Sequence, residues 1–325
     1  MYLVSGITGQ LGSEATRYLL NNGENVLGIS RRSSSSNYSR LSDIVNHPNL
    51  TILTGDVTDA NFINKTFSKY KPDFCLWYAA QSHVNVSFEE PSHTWDVTAN
   101  AVLHVLEAIK NFSPNTKFVQ ASSSEMFSSN YSEDQNGKYQ DENTRMSGNS
   151  PYAIAKLAAY NLVQLYRKSY NLFTSNIIMF NCEGKFRSDT FVTRKITKYI
   201  GNLIRNDFKY PKLKLGNIES FRDWGESSDY VRAYVMAANH CEPDDFVICT
   251  SETHSIREFL DEAFSVANIN NWSKFVEIDE SLKRPSEVPY LCGRYNKIKR
   301  ILSWEPRIKF KELVKIMVEY DIKNA

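Results

Sequence analysis

The sequence predicts a doubly wound α/β fold, a parallel sheet covered by helices on both faces, followed by a smaller α/β lobe. Up to about residue 180, short apolar runs alternate with helical patterns, the rhythm of βαβ units. Each run is almost continuously apolar, as in Phe74-Cys75-Leu76-Trp77-Tyr78, which suits strands buried on both faces. The first run passes directly into a glycine-rich turn and then a helical pattern, the opening of a Rossmann-type sheet.

Taken in order, the expected strands are 2–5, 25–30, 50–54, 73–78, 116–121 and 173–179. Helices are expected between them near 11–22, 59–70, 92–112 and 151–169. Beyond residue 180 the rhythm breaks. Short strands at 213–215, 245–249 and 274–278 alternate with helices near 190–206, 227–239, 255–267, 295–302 and 309–323. Residues 1–180 are therefore expected to form the sheet domain and 181–325 the smaller lobe, with the chain able to cross back into the sheet. The polar run 128–149 is expected to be a surface loop, placed well for a lid.

With 325 residues, 42% of them hydrophobic, the chain can bury one large core and a satellite. A net charge of +1 and a mean hydropathy of −0.43 show no basic stripe of the kind nucleic acid needs. No apolar run approaches the roughly 20 residues of a membrane span. The N-terminus is expected to open on a strand rather than a leader. Five scattered cysteines (75, 182, 241, 249 and 292) form no metal spacing and read as reduced cytoplasmic thiols.

Gly6-Ile7-Thr8-Gly9-Gln10-Leu11-Gly12 joins the first strand to the first helix. Glycines allow close backbone approach, and the helix start presents unpaired N–H groups to a pyrophosphate, so a dinucleotide site is expected. The GxxGxxG spacing points toward the short-chain dehydrogenase/reductase variant. At the end of the second strand, where an NAD site wants a carboxylate, stand Arg31-Arg32 and four serines. Guanidiniums suit a 2′-phosphate, so NADP is the expected cofactor. Asp56 and Val57 are expected near the adenine. Ala80, Gln81 and Ser82 should line the cofactor, with Ser82 reaching the substrate as well.

Tyr152 and Lys156 are four residues apart and share one helix face. An ammonium near the phenol is expected to lower the tyrosine pKa, so that Tyr152 takes a proton from a sugar hydroxyl as hydride leaves the same carbon. Ser123, at the end of the fifth strand, would hydrogen-bond that oxygen. Glu125 lies two residues on, and an extended backbone would put both side chains on one face. A carboxylate there can remove the proton that a neighbouring ketone acidifies, which adds elimination of water to the hydride chemistry.

Almost end to end the chain resembles the GDP-mannose 4,6-dehydratase family. The resemblance rests on Gly6-Ile7-Thr8-Gly9-Gln10, Arg31-Arg32-Ser33-Ser34-Ser35, Ala80-Gln81-Ser82-His83-Val84 and Gln120-Ala121-Ser122-Ser123-Ser124-Glu125. It continues in Ser150-Pro151-Tyr152, Phe191-Val192-Thr193-Arg194-Lys195-Ile196, Arg222-Asp223-Trp224-Gly225 and Arg284-Pro285-Ser286-Glu287-Val288. It implies that Ser123, Glu125, Tyr152 and Lys156 are catalytic, with Ser123 replacing the family's threonine. It implies that Arg187 touches the cofactor, and that Asn181, Val192, Lys195, Gly216, Arg222, Arg284 and Glu287 hold a GDP-sugar. It further implies that loop 33–40 builds a homodimer or homotetramer.

Three places depart from the family pattern. Cys182-Glu183-Gly184-Lys185-Phe186-Arg187 replaces His-Glu-Ser-Pro-Arg-Arg, His93 replaces a tyrosine, and Ala101-Val102 replaces Gly-Thr. These leave open a related GDP-hexose or GDP-heptose in place of GDP-mannose. A superfamily 4-reductase or epimerase would share Tyr152 and Lys156 but has no use for Glu125. A non-catalytic NADP-sensing protein would typically lose the Tyr/Lys pair that this chain keeps.

Overall fold

The computed structural model describes residues 1–35, 37–135, 137–282 and 288–325. Its centre is a seven-stranded sheet formed by β1 (Tyr2–Ser5), β2 (Val26–Ser30), β3 (Leu50–Thr54), β4 (Phe74–Trp77), β5 (Lys117–Ser123), β6 (Thr174–Met179) and β7 (Asp245–Ile248). The order across the sheet is β7-β6-β5-β4-β1-β2-β3, and every pairing is parallel. The order turns back between β1 and β4, which opens a crevice at the carboxyl ends of those two strands.

Helices α1 (Gln10–Asn21), α2 (Ala60–Tyr70), α3 (Ala101–Phe112) and α4 (Pro151–Tyr170) fill the expected crossovers. On one face α2, α3 and α4 bury Ile63, Phe67, Val105, Ile109 and Val163 against Leu3, Leu27 and Phe118. The other face packs α1 and a helix at Ser227–Asn239 against Val4, Leu76, Val119 and Ile177. Both sides are thus dry, which explains the unbroken apolar runs of the strands. Residues 227–248 do cross back: they supply that covering helix and the edge strand β7.

The remainder of the lobe has its own core. Helices α5 (Val192–Arg205), α6 (the Ser227–Asn239 helix), α7 (Ile256–Val266) and α8 (Phe310–Lys323) are the longer helices of the second half, with a short one at Asn296–Leu302, and α5, α7 and α8 enclose Trp224, Phe259, Phe264 and Met317. Among the described residues the lobe has no large sheet. It uses two-stranded ladders: Asn181–Glu183 with Trp224–Glu226, Phe221–Arg222 with His254–Ser255, and Leu213–Leu215 with Val276–Ile278.

Two expectations are corrected. The stretch expected as one helix over 92–112 runs as Pro91–Trp95, a π-turn at Asp96–Asn100 and then α3. The run 128–149 is no lid. Its strands Ser132–Asp134 and Gly137–Tyr139 form a hairpin, and buried Gln140 takes its place beside 292–294 through Gln140 N–H to Cys292 O (2.9 Å) and Arg294 N–H to Gln140 O (3.0 Å). Glu142 accepts from Val247 N at 2.7 Å, fastening the segment to the sheet edge. Among the described residues none of this run lines the central cleft. Those Gln140 bonds are main-chain and the Glu142 bond is a side-chain anchor, which composition alone does not distinguish from solvation.

Candidate active site

The crevice begins at the glycine turn. Gly6 sits at φ +62°, and a Cβ there would come within 3.2 Å of the Ala79 backbone N, so β1 and β4 approach more closely than a side chain permits. Ser5 Oγ holds that approach by accepting from Tyr78 N (2.9 Å) and Ala79 N (3.0 Å). At Gly12 a Cβ would lie 2.2 Å from Gly6 O, so α1 packs directly on its own turn. Gly9 is the N-cap of α1 and no side chain caps it. The first N–H groups of a 12-residue helix therefore face the turn of Thr8 and Gln10 unclaimed, as a pyrophosphate would require. The chain fits a dinucleotide here.

Around that cradle, Arg31 and Arg32 stand exposed just beyond β2, and among the described residues neither has an ion-pair partner. Asp56 is half-buried and bonded by Thr58 N (2.9 Å) and Thr58 Oγ1 (2.8 Å). Burial works against its charge, but those bonds and the Arg31 charge leave it below the usual carboxylate range. Val57 is buried with Leu3 and Leu27. Ala80 is half-buried at the end of β4. Gln81 spends its amide on its own turn and the Pro91–Trp95 helix, donating to His83 O and Thr94 Oγ1 and accepting from His83 N.

A cleft of about 280 Å³ lies between the carboxyl ends of the strands and the lobe. It is lined by Ser82, Ser123, Glu125, Tyr152, Asn181, Arg187, Val192, Lys195, Gly216 and Arg222, so ten residues expected from five separated stretches converge. Arg284 and Glu287 lie outside the described residues. Leu11 and Gly12 are buried under the turn, and Lys156 stands behind the cleft.

Ser123 ends β5 and caps the turn that follows, accepting from Glu125 N at 3.2 Å. That turn, Ser124–Phe127, is a 3₁₀ helix, so Glu125 does not continue an extended strand as expected. The capping bond folds the chain back, and this turn, rather than strand alternation, brings Glu125 to the same cleft. Ser150 caps α4 through Ala153 N (3.1 Å), with Pro151 at the first helical position, and so fixes Tyr152 in the first turn.

Lys156 is 2% exposed and donates to Ala121 O at 2.5 Å, with its Nζ 5.9 Å from the Tyr152 ring centre. Burial lowers its pKa to about 7. Tyr152 is pushed up to about 12, first by burial and then by the Glu125 charge, while the Ser123 hydrogen bond and Arg187 pull the other way. The expected lowering of the tyrosine is thus reversed in the chain alone. Both partners are stripped of water, and a lysine that loses its own charge lends little to the phenol.

Of the altered stretch 182–187, Cys182, Glu183 and Arg187 line this cleft. Cys182 is buried in the ladder strand beside Gln10, its Sγ 3.8 Å from Gln10 Nε2. Gly184 takes φ +147°, and a Cβ there would meet Ser227 Oγ at 2.8 Å. Arg187 lies 3.3 Å from Glu183 and 3.5 Å above the Phe191 ring. Its other side faces a second cavity of about 230 Å³, lined by Arg40, Lys185, Arg194 and Lys198 among others. Sequence reasoning did not assign His83, Asn85, Phe191, Trp224 or Leu282, which also line the cleft. His83, Phe191 and Trp224 fall inside motifs quoted for the resemblance; Asn85 and Leu282 had no such signal.

A switch-point crevice, a Tyr/Lys pair on one helix and a hydroxyl with a carboxylate past the fifth strand together define an extended short-chain dehydrogenase/reductase. Solved structures agree on the fold. DesIV, a dTDP-glucose 4,6-dehydratase of Streptomyces venezuelae, superposes with a TM-score of 0.87 at 21% identity, covering 99% of this chain and 97% of its own. The UDP-glucose 4-epimerase of Thermotoga maritima gives 0.85 at 22%, covering 99% of both chains.

The chain belongs to the GDP-mannose 4,6-dehydratase family, whose profile, described as GDP-mannose 4,6 dehydratase, matches residues 3–317. It is 42% identical to GDP-mannose 4,6 dehydratase 1 of Arabidopsis thaliana over 99% of this chain and 90% of that protein. The GDP-mannose 4,6 dehydratase of Homo sapiens is 37% identical over 99% of this chain and 91% of its own, and the Vibrio cholerae enzyme is 37% identical over 99% and 94%.

Proposed function

We propose that the chain is an NADP-dependent hydro-lyase that converts GDP-D-mannose into GDP-4-keto-6-deoxy-D-mannose. Full-length membership of the family carries this reading, together with Ser123, Glu125 and Tyr152 on one cleft. A nicotinamide dinucleotide, when bound, supplies a hydride acceptor that later gives the hydride back, and a positive ring charge of the kind that favours a phenolate.

The chain's residues do the rest. Ser123 and Tyr152 bind the sugar hydroxyl at C4, and Tyr152 takes its proton as C4 is oxidised to the ketone. Lys156, held on Ala121 O, supports the phenolate when it carries its proton. The ketone acidifies C5–H, and Glu125 removes that proton. The same proton can leave with the C6 hydroxyl as water, which yields the 4-keto-5,6-ene. Hydride return to C6 and a proton at C5 complete the 6-deoxy sugar, with no net oxidation. Lys195 and Arg222 neutralise the pyrophosphate, joined in this proposal by Arg284, while Glu287 pairs with a ribose or base and Asn181, Val192 and Gly216 shape the sugar's berth.

The 2′-phosphate of NADP is assigned to Arg31 and Arg32. Loop 33–40, outside the described residues at 36, is proposed to join copies of the chain into a homodimer or homotetramer. Among the described residues no helix is long and apolar enough to cross a membrane, and a cytoplasmic location fits the free cysteines. GDP-mannose deuterated at C4, incubated with NADP, tests the function: the expected product is 6-deoxy and carries the deuterium at C6. Deuterium lost to solvent, or a product retaining oxygen at C6, would refute it. Turnover only of another GDP-hexose or a GDP-heptose would trace the substrate to the altered stretch 182–187.

A further inference from the structure

Asp223 separates the two ladders of the lobe wall. Before it, Phe221–Arg222 pairs with His254–Ser255; after it, Trp224–Glu226 pairs with Asn181–Glu183. Its carboxylate is fully buried. Oδ1 accepts from Thr250 N (2.8 Å) and Thr250 Oγ1 (2.7 Å), and Oδ2 accepts from Ser251 N (3.0 Å) and Gly293 N (3.1 Å). Ser251 sits at φ +60°, a left-handed conformation unusual for a residue with a side chain. Gly293 leaves no room for a Cβ, which would meet Cys249 Cβ at 2.5 Å. Four donors therefore converge on one carboxylate, and among the described residues no cation is paired with it.

Those donors come from two further pieces of chain. Thr250 and Ser251 follow β7 at the sheet edge. Gly293 closes the segment 288–293, which enters next in sequence to Arg284 and Glu287 and runs beside Phe221 through Phe221 N–H to Pro289 O (2.9 Å) and Leu291 N–H to Phe221 O (3.1 Å). Both residues flanking Asp223, Arg222 and Trp224, line the cleft.

We infer that Asp223 is a positioning residue for the nucleotide-sugar: its carboxylate clasps the wall bearing Arg222 and Trp224 to the sheet edge and to segment 288–293. The inference rests on the GDP-sugar reading above. An amide cannot replace the carboxylate, because whichever way it is turned at least one backbone N–H loses its acceptor.

Protonation should loosen the clasp in the same way. Burial pushes Asp223 up to about 6 against the bonds from Thr250, Gly293 and Ser251. Besides Arg222, the groups that face it are Tyr230, Cys249, Tyr290, Cys292 and Lys309. The tyrosines and cysteines are all raised and Lys309 stays charged, so none titrates between pH 5 and 7. The sign for stability is opposite to the sign for binding. A carboxyl raised above its ordinary value binds its proton more tightly in the fold, so its contribution to stability grows as pH falls from about 6 towards 4. Acid loss of substrate affinity from this group is therefore not unfolding.

Asp223→Asn tests the inference in the full chain, with Thr250→Val, which removes one donor and keeps the backbone N–H, as a milder second variant. The probes are GDP and GDP-mannose by equilibrium binding, GDP-mannose turnover, and NADP binding as control. Expected for Asp223→Asn is a GDP-mannose affinity and KM weakened roughly tenfold at neutral pH, NADP affinity unchanged and kcat changed far less than KM. Thr250→Val should move in the same direction by less. Between pH 7 and 5 the wild type should lose GDP-mannose affinity and Asp223→Asn should not. Unchanged affinity in both variants, an equal loss of NADP binding, or identical pH profiles would overturn it. Should Asp223→Asn fail to fold, normal GDP-mannose affinity in Thr250→Val would overturn it alone. Wild type that binds neither GDP nor GDP-mannose would refute the GDP-sugar reading itself, and this inference with it.

Discussion

The wall of the cleft at the end of β5 and the wall formed by residues 181–226 line one cleft but are built differently. On the sheet side, Ser123 and Tyr152 are 7% and 5% exposed, and Lys156 is more buried still. Each stands on a long element whose other faces are packed, at a strand end or in the first two turns of a 20-residue helix. On the lobe side, Lys195 is exposed at the start of α5, and Arg222 sits on a two-residue ladder. Beside the apolar packing of Trp224, polar contacts hold the lobe wall: the Asp223 clasp, and the Glu183 contacts to Thr193 and Arg187. The chemistry is thus placed where geometry is rigid and water scarce. Recognition is placed where short ladders can be altered, as at Cys182 and Gly184, without disturbing the sheet.

Lys156→Met should break this contrast most sharply. Turnover should fall by roughly a hundredfold or more, as for loss of a general acid–base partner. Stability should move the other way. The Lys156 pKa is depressed from its ordinary 10.5 to about 7, so its contribution is present above 10.5 and lost as pH falls towards 7. At neutral pH the methionine variant should therefore melt higher than wild type in a thermal scan, while near pH 10 the gap should close.

Within the sheet side, Arg32→Glu should separate cofactor recognition from catalysis. Removing the guanidinium proposed to hold the 2′-phosphate and adding a like charge should weaken NADP by roughly 30-fold. NAD affinity should hardly change in the same titration. On the lobe side, Lys195→Ala should raise the KM for GDP-mannose by roughly tenfold and leave kcat within about a factor of two, the signature of uniform binding. A kcat loss as large as that of Lys156→Met would erase the distinction between the walls.

The two walls were also unequally legible. The six strands up to residue 180 and α1, α2 and α4 announce themselves because burial on two faces, or on one helical stripe, writes a period into the residues. The Tyr152 and Lys156 spacing carries over directly, since a helix preserves it. Glu125 reached the right cleft by a route the alternation argument did not contain, because one capping bond from Ser123 curls the strand end. The ladders at 181–183, 221–226 and 254–255 are two or three residues long, too short for any period. Asp223 is legible only once Thr250 and Gly293, 27 and 70 residues away, are seen on its oxygens. The raised pKa of Tyr152 likewise depends on how much water the lobe excludes, a property of the closed cleft and not of the YxxxK spacing.

The most direct test of the account is a single-turnover reaction of Glu125→Gln with NADP and GDP-mannose, followed by cofactor absorbance and by proton exchange at C5 of the sugar. The account predicts that the reduced cofactor and the 4-keto sugar form, that C5 does not exchange with solvent deuterium, and that no 6-deoxy product appears. Release of 6-deoxy product at the wild-type rate would contradict it, because elimination would then proceed without the one carboxylate assigned to it.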